Sequence, residues 1–289
     1  MLRCISNGPR LKLVVKLGSC SLTGRFSETF GHSVSDLLNE GHRVVIVDGS
    51  NPAYSLSSSL LEVHRNVHSS DIDPSRNHGQ NAVLPGEDPV SRRVVVMLGK
   101  AGVASFFFWP SDGNADGKKV RIRRRSTRAI WPLIEFEAAA VDPFWLETIS
   151  AKGGVPVIVN AFLGCDQQYH WLDGDQLAAK CAIGWQADIV IFLTKSKGLR
   201  NSDGSVMRLL ENNRISELAK DGTLANSMLS KSLACNDALK QGVGRTIILP
   251  LHGLEEFSPL LGSSQLMAGT EVVRSEVQLM RYTVDYRVR

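Results

Sequence analysis

LKLVVKLGSCSLTG, residues 11–24, is the stretch on which the fold turns. Its first part, Leu11–Leu17, is rich in Val and Leu and reads as a buried strand, with Lys16 close to its end. Gly18 and the small hydroxyl residues Ser19, Ser21 and Thr23 follow at once. Phe26–Asn39 then has the periodicity of an amphipathic helix, with Gly41 as its C-terminal stop. Arg43–Val47 is a second strand, running into Asp48-Gly49-Ser50-Asn51-Pro52. Strand, helix and strand in that order make a βαβ unit, which predicts a parallel sheet covered by helices.

The alternation continues to the end of the chain. Helices are predicted at Val90–Lys100, Val141–Ala151, Asp175–Gln186 and Leu224–Gln241. Strands are predicted at Ala104–Trp109, Val155–Asn160, Asp188–Thr194, Thr246–Pro250 and Glu271–Val273. Asn66–Asp88 is polar and reads as a long loop. Lys118–Arg128 packs two lysines and five arginines into eleven residues, with Val120 and Ile122 alternating as in an exposed hairpin strand. The class is α/β.

Composition sets outer bounds. With 289 residues, 43% hydrophobic and 21% charged, the chain is ordinary for a soluble globular protein and can bury a large core. A formal charge of +4 does not by itself imply nucleic acid. Cys4, Cys20, Cys165, Cys181 and Cys235 show no CxxC spacing, and with no secretory signal they point to reduced thiols in a cytoplasmic protein. No run approaches the roughly 18 apolar residues that span a bilayer, so no membrane partner is expected.

Three segments could carry chemistry, and each has a plainer reading. Lys16-Leu17-Gly18-Ser19 sits where open α/β sheets bind ligands, beyond a strand's carboxyl end, although it is no Walker loop. A lysine reaching solvent is the alternative. In Leu172-Asp173-Gly174-Asp175, a carboxylate can cap the following helix or orient cations around a transferring phosphoryl group. Lys231, early in a helix after the Asp221-Gly222 turn, reads alone as a surface charge.

Together these segments resemble the amino acid kinase family. The likeness runs through Val15-Lys16-Leu17-Gly18-Ser19, Asp173-Gly174-Asp175, Phe192-Leu193-Thr194, Ser227-Met228-Leu229-Ser230-Lys231 and Gly269-Thr270-Glu271-Val272-Val273. It is strongest to the acyl-phosphate-forming branch, which holds the N-acetylglutamate kinases and the kinases of glutamate or aminoadipate bound to an amino-group carrier protein. The resemblance implies a three-layer αβα sandwich with a mainly parallel central sheet. It also implies an acceptor-binding and dimerisation lobe over residues 1–187 and a nucleotide lobe over 188–289.

By the same resemblance, Lys16 grips the phosphoryl group in flight, Lys231 neutralises the leaving-group side, and Asp175 orients both lysines. Gly18, Ser19, Gly49 and Ser50 would cradle phosphates, while Thr194, Lys195 and Gly198 would flank the nucleotide. Arg76, Trp171 and Asp173 would meet the acceptor. ATP and magnesium are the implied co-reactants, a homodimer the implied assembly, and no protein-held metal site is expected.

Departures concentrate around the acceptor. Asp48 stands where the family has His, beside one glycine instead of two or three, and a carboxylate there would repel an anionic substrate unless paired. Trp171 replaces an acceptor-binding Asn, Lys195 an Asp, and Ser227 a Gly. The basic run Lys118–Arg128 resembles that of the carrier-linked kinases and would favour an acidic carrier protein. Nucleic acid is the weaker use, because stacking aromatics are missing. The leading expectation is a kinase acting on the side-chain carboxylate of an N-blocked acidic amino acid. Phosphonate or phosphate kinases and a nucleotide-binding protein without turnover stand as alternatives.

Overall fold

The computed structural model describes residues 10–18, 25–49, 89–108, 120–124, 136–163, 169–251, 261, 266 and 268–275. In chain order the elements are β1 (Lys12–Gly18), α1 (Arg25–Asn39), β2 (Arg43–Gly49), α2 (Pro89–Lys100), β3 (Ser105–Phe108), β4 (Val120–Arg124) and β5 (Phe136–Val141). There follow α3 (Pro143–Ser150), β6 (Val155–Val159), β7 (Ala161–Leu163), β8 (Tyr169–Trp171), α4 (Gly174–Trp185) and β9 (Ile189–Thr194). The last are β10 (Leu209–Glu211), a 3-10 turn at Asn212–Arg214, α5 (Ile215–Lys220), α6 (Asn226–Lys240), β11 (Arg245–Pro250) and β12 (Thr270–Val273).

Eight strands form the central sheet in the order β10-β12-β11-β9-β1-β2-β6-β3. Every neighbouring pair is parallel except β11 with β12. From β1 the chain builds outward on one side through β2, β3 and β6, then crosses to the other side with β9. Ligands of open parallel sheets bind beyond the carboxyl ends of the strands at such a reversal. Lys16 and Gly18 close β1 at that place.

Strand alternation divides the apolar residues between two cores. Leu13, Val15 and Leu17 pack with Phe30, Val34 and Leu37 of α1 and Val94, Met97 and Leu98 of α2. Val14, Val47 and Phe192 face the other way, onto Leu177, Ala178 and Cys181 of α4 and Ala234, Cys235 and Ala238 of α6. The result is the expected three-layer αβα sandwich. Each fully buried side chain contributes about 1.5–3 kcal/mol through apolar burial. At the end of α1, Gly41 takes φ +89, and the Gly41 and His42 amides donate to Leu38 and Leu37 carbonyls at 3.0 and 2.9 Å. That is the glycine stop read from the sequence.

Some boundaries differ from expectation. The helix expected from Val141 starts at Pro143: Val141 ends β5, and the Asp142 side chain caps α3 by accepting from the Phe144 amide at 3.0 Å. The basic strand is present as β4, and its antiparallel partner β5 was not among the expected strands. The β7–β8 hairpin, β10 and α5 are likewise additional. The loop Asn66–Asp88 and the ends of the Lys118–Arg128 run lie outside the described residues.

Candidate active site

Three charged side chains from three elements meet beside the carboxyl end of β1. Lys16 Nζ lies 2.9 Å from Asp175 Oδ1, and Lys231 Nζ donates to Asp175 Oδ2 at 3.3 Å. All three residues are buried, at 6%, 5% and 7% exposure for Lys16, Asp175 and Lys231. Neither lysine therefore takes the solvated role that each would have if read alone. The Lys16 contact is an ion pair by distance, without the angle of a directed hydrogen bond to Oδ1.

Burial pushes the Asp175 carboxyl up, but the Lys16 and Lys231 ammonium groups outweigh it and hold it at about 2. For Lys231, burial lowers the pKa and the Lys16 charge adds to that, against the opposing pull of Asp175. One carboxylate bridges two buried ammonium groups, and the buried Asp173 carboxylate also pulls on Lys231. Such a site suits a polyanion whose charge shifts between two ends during reaction.

Local sequence explains the placement. Alternation puts Lys16 on the same face as Val14, toward α4. Asp173 is the N-cap of α4, its Oδ1 accepting from the Asp175 and Gln176 amides at 3.0 and 3.2 Å. Of the two aspartates that could have capped, Asp173 does so, and Asp175 is thereby set in the first turn facing the lysines.

Two glycines leave room for the Lys16 stem. A Cβ at Gly49 would lie 2.1 Å from Lys16 Cε. A Cβ at Gly174 would lie 2.6 Å from Gly49 Cα and 3.3 Å from Lys16 Cε. Gly18 and Gly49 are register partners at the ends of β1 and β2. Asp48 is fully buried, but its register partner is Leu17, so alternation turns it to the face away from Lys16. This carboxylate therefore does not share the lysines' side of the sheet.

The other expected residues fall as follows. Thr194 is half-buried at the end of β9, with Oγ1 accepting from the Ser196 amide at 3.3 Å, while Lys195 is exposed. Gly198 has φ +133, and a Cβ there would sit 2.8 Å from Thr270 Oγ1, which accepts from the Leu199 amide at 2.9 Å. This turn is pinned to the Gly269-Thr270 segment. Trp171 is half-buried in β8, opposite Ala161. Asp173 is buried and is the N-cap of α4, its carboxylate also accepting from the Ser230 hydroxyl. Ser19, Ser50 and Arg76 lie outside the described residues.

Two residues that the sequence reading did not single out frame the site. The Asn160 amide donates to the Asp48 carbonyl at 3.1 Å and its Nδ2 to the Leu172 carbonyl at 3.0 Å, tying β2 to the segment before α4. The Ser230 hydroxyl, beside Lys231, donates to Asp173. No spacing rule marks a lone Asn or Ser for such contacts. Among the described residues there is no group of three or more His, Cys, Asp or Glu that could hold a metal ion. Asp175, already paired with two cations, does not fit a protein-held divalent ion.

The amino acid kinase family profile matches residues 12–250. An acetylglutamate kinase of Acidobacterium capsulatum is 34% identical over 274 residues, covering 92% of this chain and all of that protein. An acetylglutamate kinase of Koribacter versatilis is 26% identical, covering 91% of this chain and 99% of its own length. Among solved structures, an N-acetylglutamate synthase from Neisseria gonorrhoeae, complexed with coenzyme A and N-acetyl-glutamate, superposes with TM-score 0.67 at 20% identity. That likeness covers 92% of this chain, which spans 60% of the synthase. A Giardia carbamate kinase superposes with TM-score 0.59 at 13% identity, covering 93% of this chain and all of that one. At these identities the two structures speak to the fold.

Proposed function

This chain belongs to the amino acid kinase family, and from that premise we propose that it transfers the γ-phosphoryl group of ATP to the side-chain carboxylate of an N-blocked acidic amino acid. The observation that carries the proposal is the buried Lys16–Asp175–Lys231 cluster at the carboxyl end of β1. The acetylglutamate kinase relatives, aligned over nine-tenths of the chain, support a carboxyl acceptor.

An ionised acceptor oxygen attacks the γ-phosphorus, and the bond from that phosphorus to the β,γ-bridging oxygen breaks. The products are an acyl phosphate and ADP, and no proton needs to move. The transition state spreads negative charge over the transferred group and the leaving oxygen, so positioning and charge neutralisation dominate. Lys16, on β1, meets the phosphoryl group, and Lys231, on α6, meets the leaving side. Asp175 keeps the two ammonium groups from repelling one another out of place. Magnesium would arrive with the nucleotide phosphates and neutralise part of their charge.

The N-terminal lobe would hold the acceptor, and residues 188–289, with Thr194–Gly198 and Lys231, the nucleotide. The block on the acceptor's amine prevents the activated carboxylate from cyclising. An acetyl group does this, and so does a peptide link to a carrier, for which the cationic Lys118–Arg128 run would be the docking strand. The test is hydroxylamine trapping with ATP, run on N-acetylglutamate and on carrier-linked glutamate and aminoadipate. Hydroxamate in either arm supports the reading and names the block. Bound nucleotide with no hydroxamate in any arm refutes it.

A further inference from the structure

We propose that Asp173 and Ser230 are positioning residues, a latch between α4 and α6 that holds Asp175 and Lys231 in register for phosphoryl transfer. The inference rests on the proposed function and adds to it a device that acts through the catalytic pair. Ser230 is 2% exposed, and its hydroxyl lies 3.2 Å from Asp173 Oδ2 and 3.4 Å from Oδ1. Asp173 precedes Asp175 by two residues, and Ser230 immediately precedes Lys231. The hydrogen bond therefore joins the same two segments as the Asp175–Lys231 ion pair, just beside it.

Further along the helices, Lys180 Nζ and Asp237 Oδ2 pair at 2.6 Å. The reacting pair thus lies next to the latch at one end of the α4–α6 contact, with a second tie farther on. Long flexible lysines lose little by drifting, and an error of an ångström at a reacting centre can cost about 10² in rate. A buried serine with one rotor is a better register pin than another ion pair, since its partner already accepts two main-chain N–H groups. Those two bonds also make the latch separable from the cap. Ser230→Ala removes the tie between helices and leaves the α4 cap intact.

The experiment compares Ser230→Ala, Asp173→Asn, Asp173→Ala and the Ser230→Ala/Asp173→Ala double variant. Ser230→Ala is expected to lower kcat five- to tenfold with both KM values within twofold. Its alkaline limb should move to lower pH, because a Lys231 less well paired with Asp175 loses its proton sooner. Asp173→Asn, which keeps an oxygen for the cap and a partner for the hydroxyl, should restore kcat to within about threefold of wild type. Adding Ser230→Ala to Asp173→Ala should lower kcat no further. A raised acceptor KM with kcat intact in Asp173→Asn would overturn the proposal, because Asp173 would then touch substrate. So would a Ser230→Ala protein with wild-type kcat and pH profile.

Affinity for ADP with aluminium fluoride, a mimic of the transferring phosphoryl group, tests the latch without any acceptor. Ser230→Ala should bind it five- to tenfold more weakly while binding ADP alone as wild type does, and equal affinities would overturn the latch. A wild-type protein that phosphorylates no acceptor would sink the proposed function and leave this readout to decide the latch.

Discussion

Replacing Asp175 by Asn keeps the shape of the side chain and removes the carboxylate that both buried ammonium groups contact. At contacts of 2.9 and 3.3 Å the gross attractions are about 6 and about 5 kcal/mol with an effective dielectric of about 20. Desolvation of three charges and repulsion between the lysines offset much of that. Losing one member of a buried ionic group typically costs about 3–5 kcal/mol, because the remaining charges stay buried and unpaired. For a chain of this size that lowers the apparent Tm by roughly 10 °C.

The acid side supplies a check on the same number. With a folded pKa of about 2 against an ordinary 3.8, Asp175 contributes about 2–3 kcal/mol. That contribution is complete above pH 3.8 and is lost as the pH falls through about 2. The variant should lack this loss. Nucleotide phosphates can supply the missing counter-charge, so saturating ATP should raise Tm more in Asp175→Asn than in wild type, while turnover falls about 10²–10³-fold. Urea and thermal unfolding with and without ATP, beside the hydroxamate assay, measure all three. An Asp175→Asn protein with unchanged apo stability and normal turnover would refute the reasoning.

Other perturbations test neighbouring parts of the account. Lys231 must be charged to act, and burial lowers its pKa, so kcat should fall as pH rises before the ordinary lysine value of 10.5 is reached; a profile flat to that pH would contradict this. Gly174→Ala sets a Cβ 2.6 Å from Gly49 Cα, a backbone contact that cannot swing away. It should destabilise by about 1–3 kcal/mol and cut kcat by about 10², read by unfolding and steady-state kinetics. Glu147, at the opposite end of the sheet, pairs with Lys12 and Arg43 and accepts from Trp185 Nε1 at 3.0 Å. Being partly exposed, it should cost no more than about 1 kcal/mol in Glu147→Gln, with kcat and both KM values unchanged.

The layers of the sandwich were legible because Leu13–Leu17 and Arg43–Val47 are apolar runs flanking a helix with Phe30, Val34 and Leu37 on one face. The members of the candidate site were legible only as a set. Lys16 alone reads equally as a ligand-binding or a solvated lysine, Asp175 as a cap and Lys231 as a surface charge, and only the packed fold brings both lysines within 3.3 Å of Asp175. Spacing alone did not choose between Asp173 and Asp175 as cap; α4 starts at Gly174, so Asp173 takes the amides and Asp175, in the first turn, meets the lysines. Asp142-Pro143 did carry a helix-start signature, a capping Asp followed by Pro in the first turn, and it marks the boundary better than the apolar Val141. The three-residue strands β7 and β8 are too short for period-two alternation to show. Ser230 has no signature, since its role exists only once α4 and α6 pack. The face of Asp48 could have been counted from Val47, whose side chain points with Val14.

Phosphorus NMR of the complete reaction tests the central claim most directly. With ATP, magnesium and an N-blocked glutamate or aminoadipate, wild type should show an acyl phosphate resonance growing in step with ADP. Lys16→Ala and Lys231→Ala, still binding nucleotide, should show neither. ADP appearing with inorganic phosphate alone, or lysine variants that form the acyl phosphate at the wild-type rate, would contradict the account.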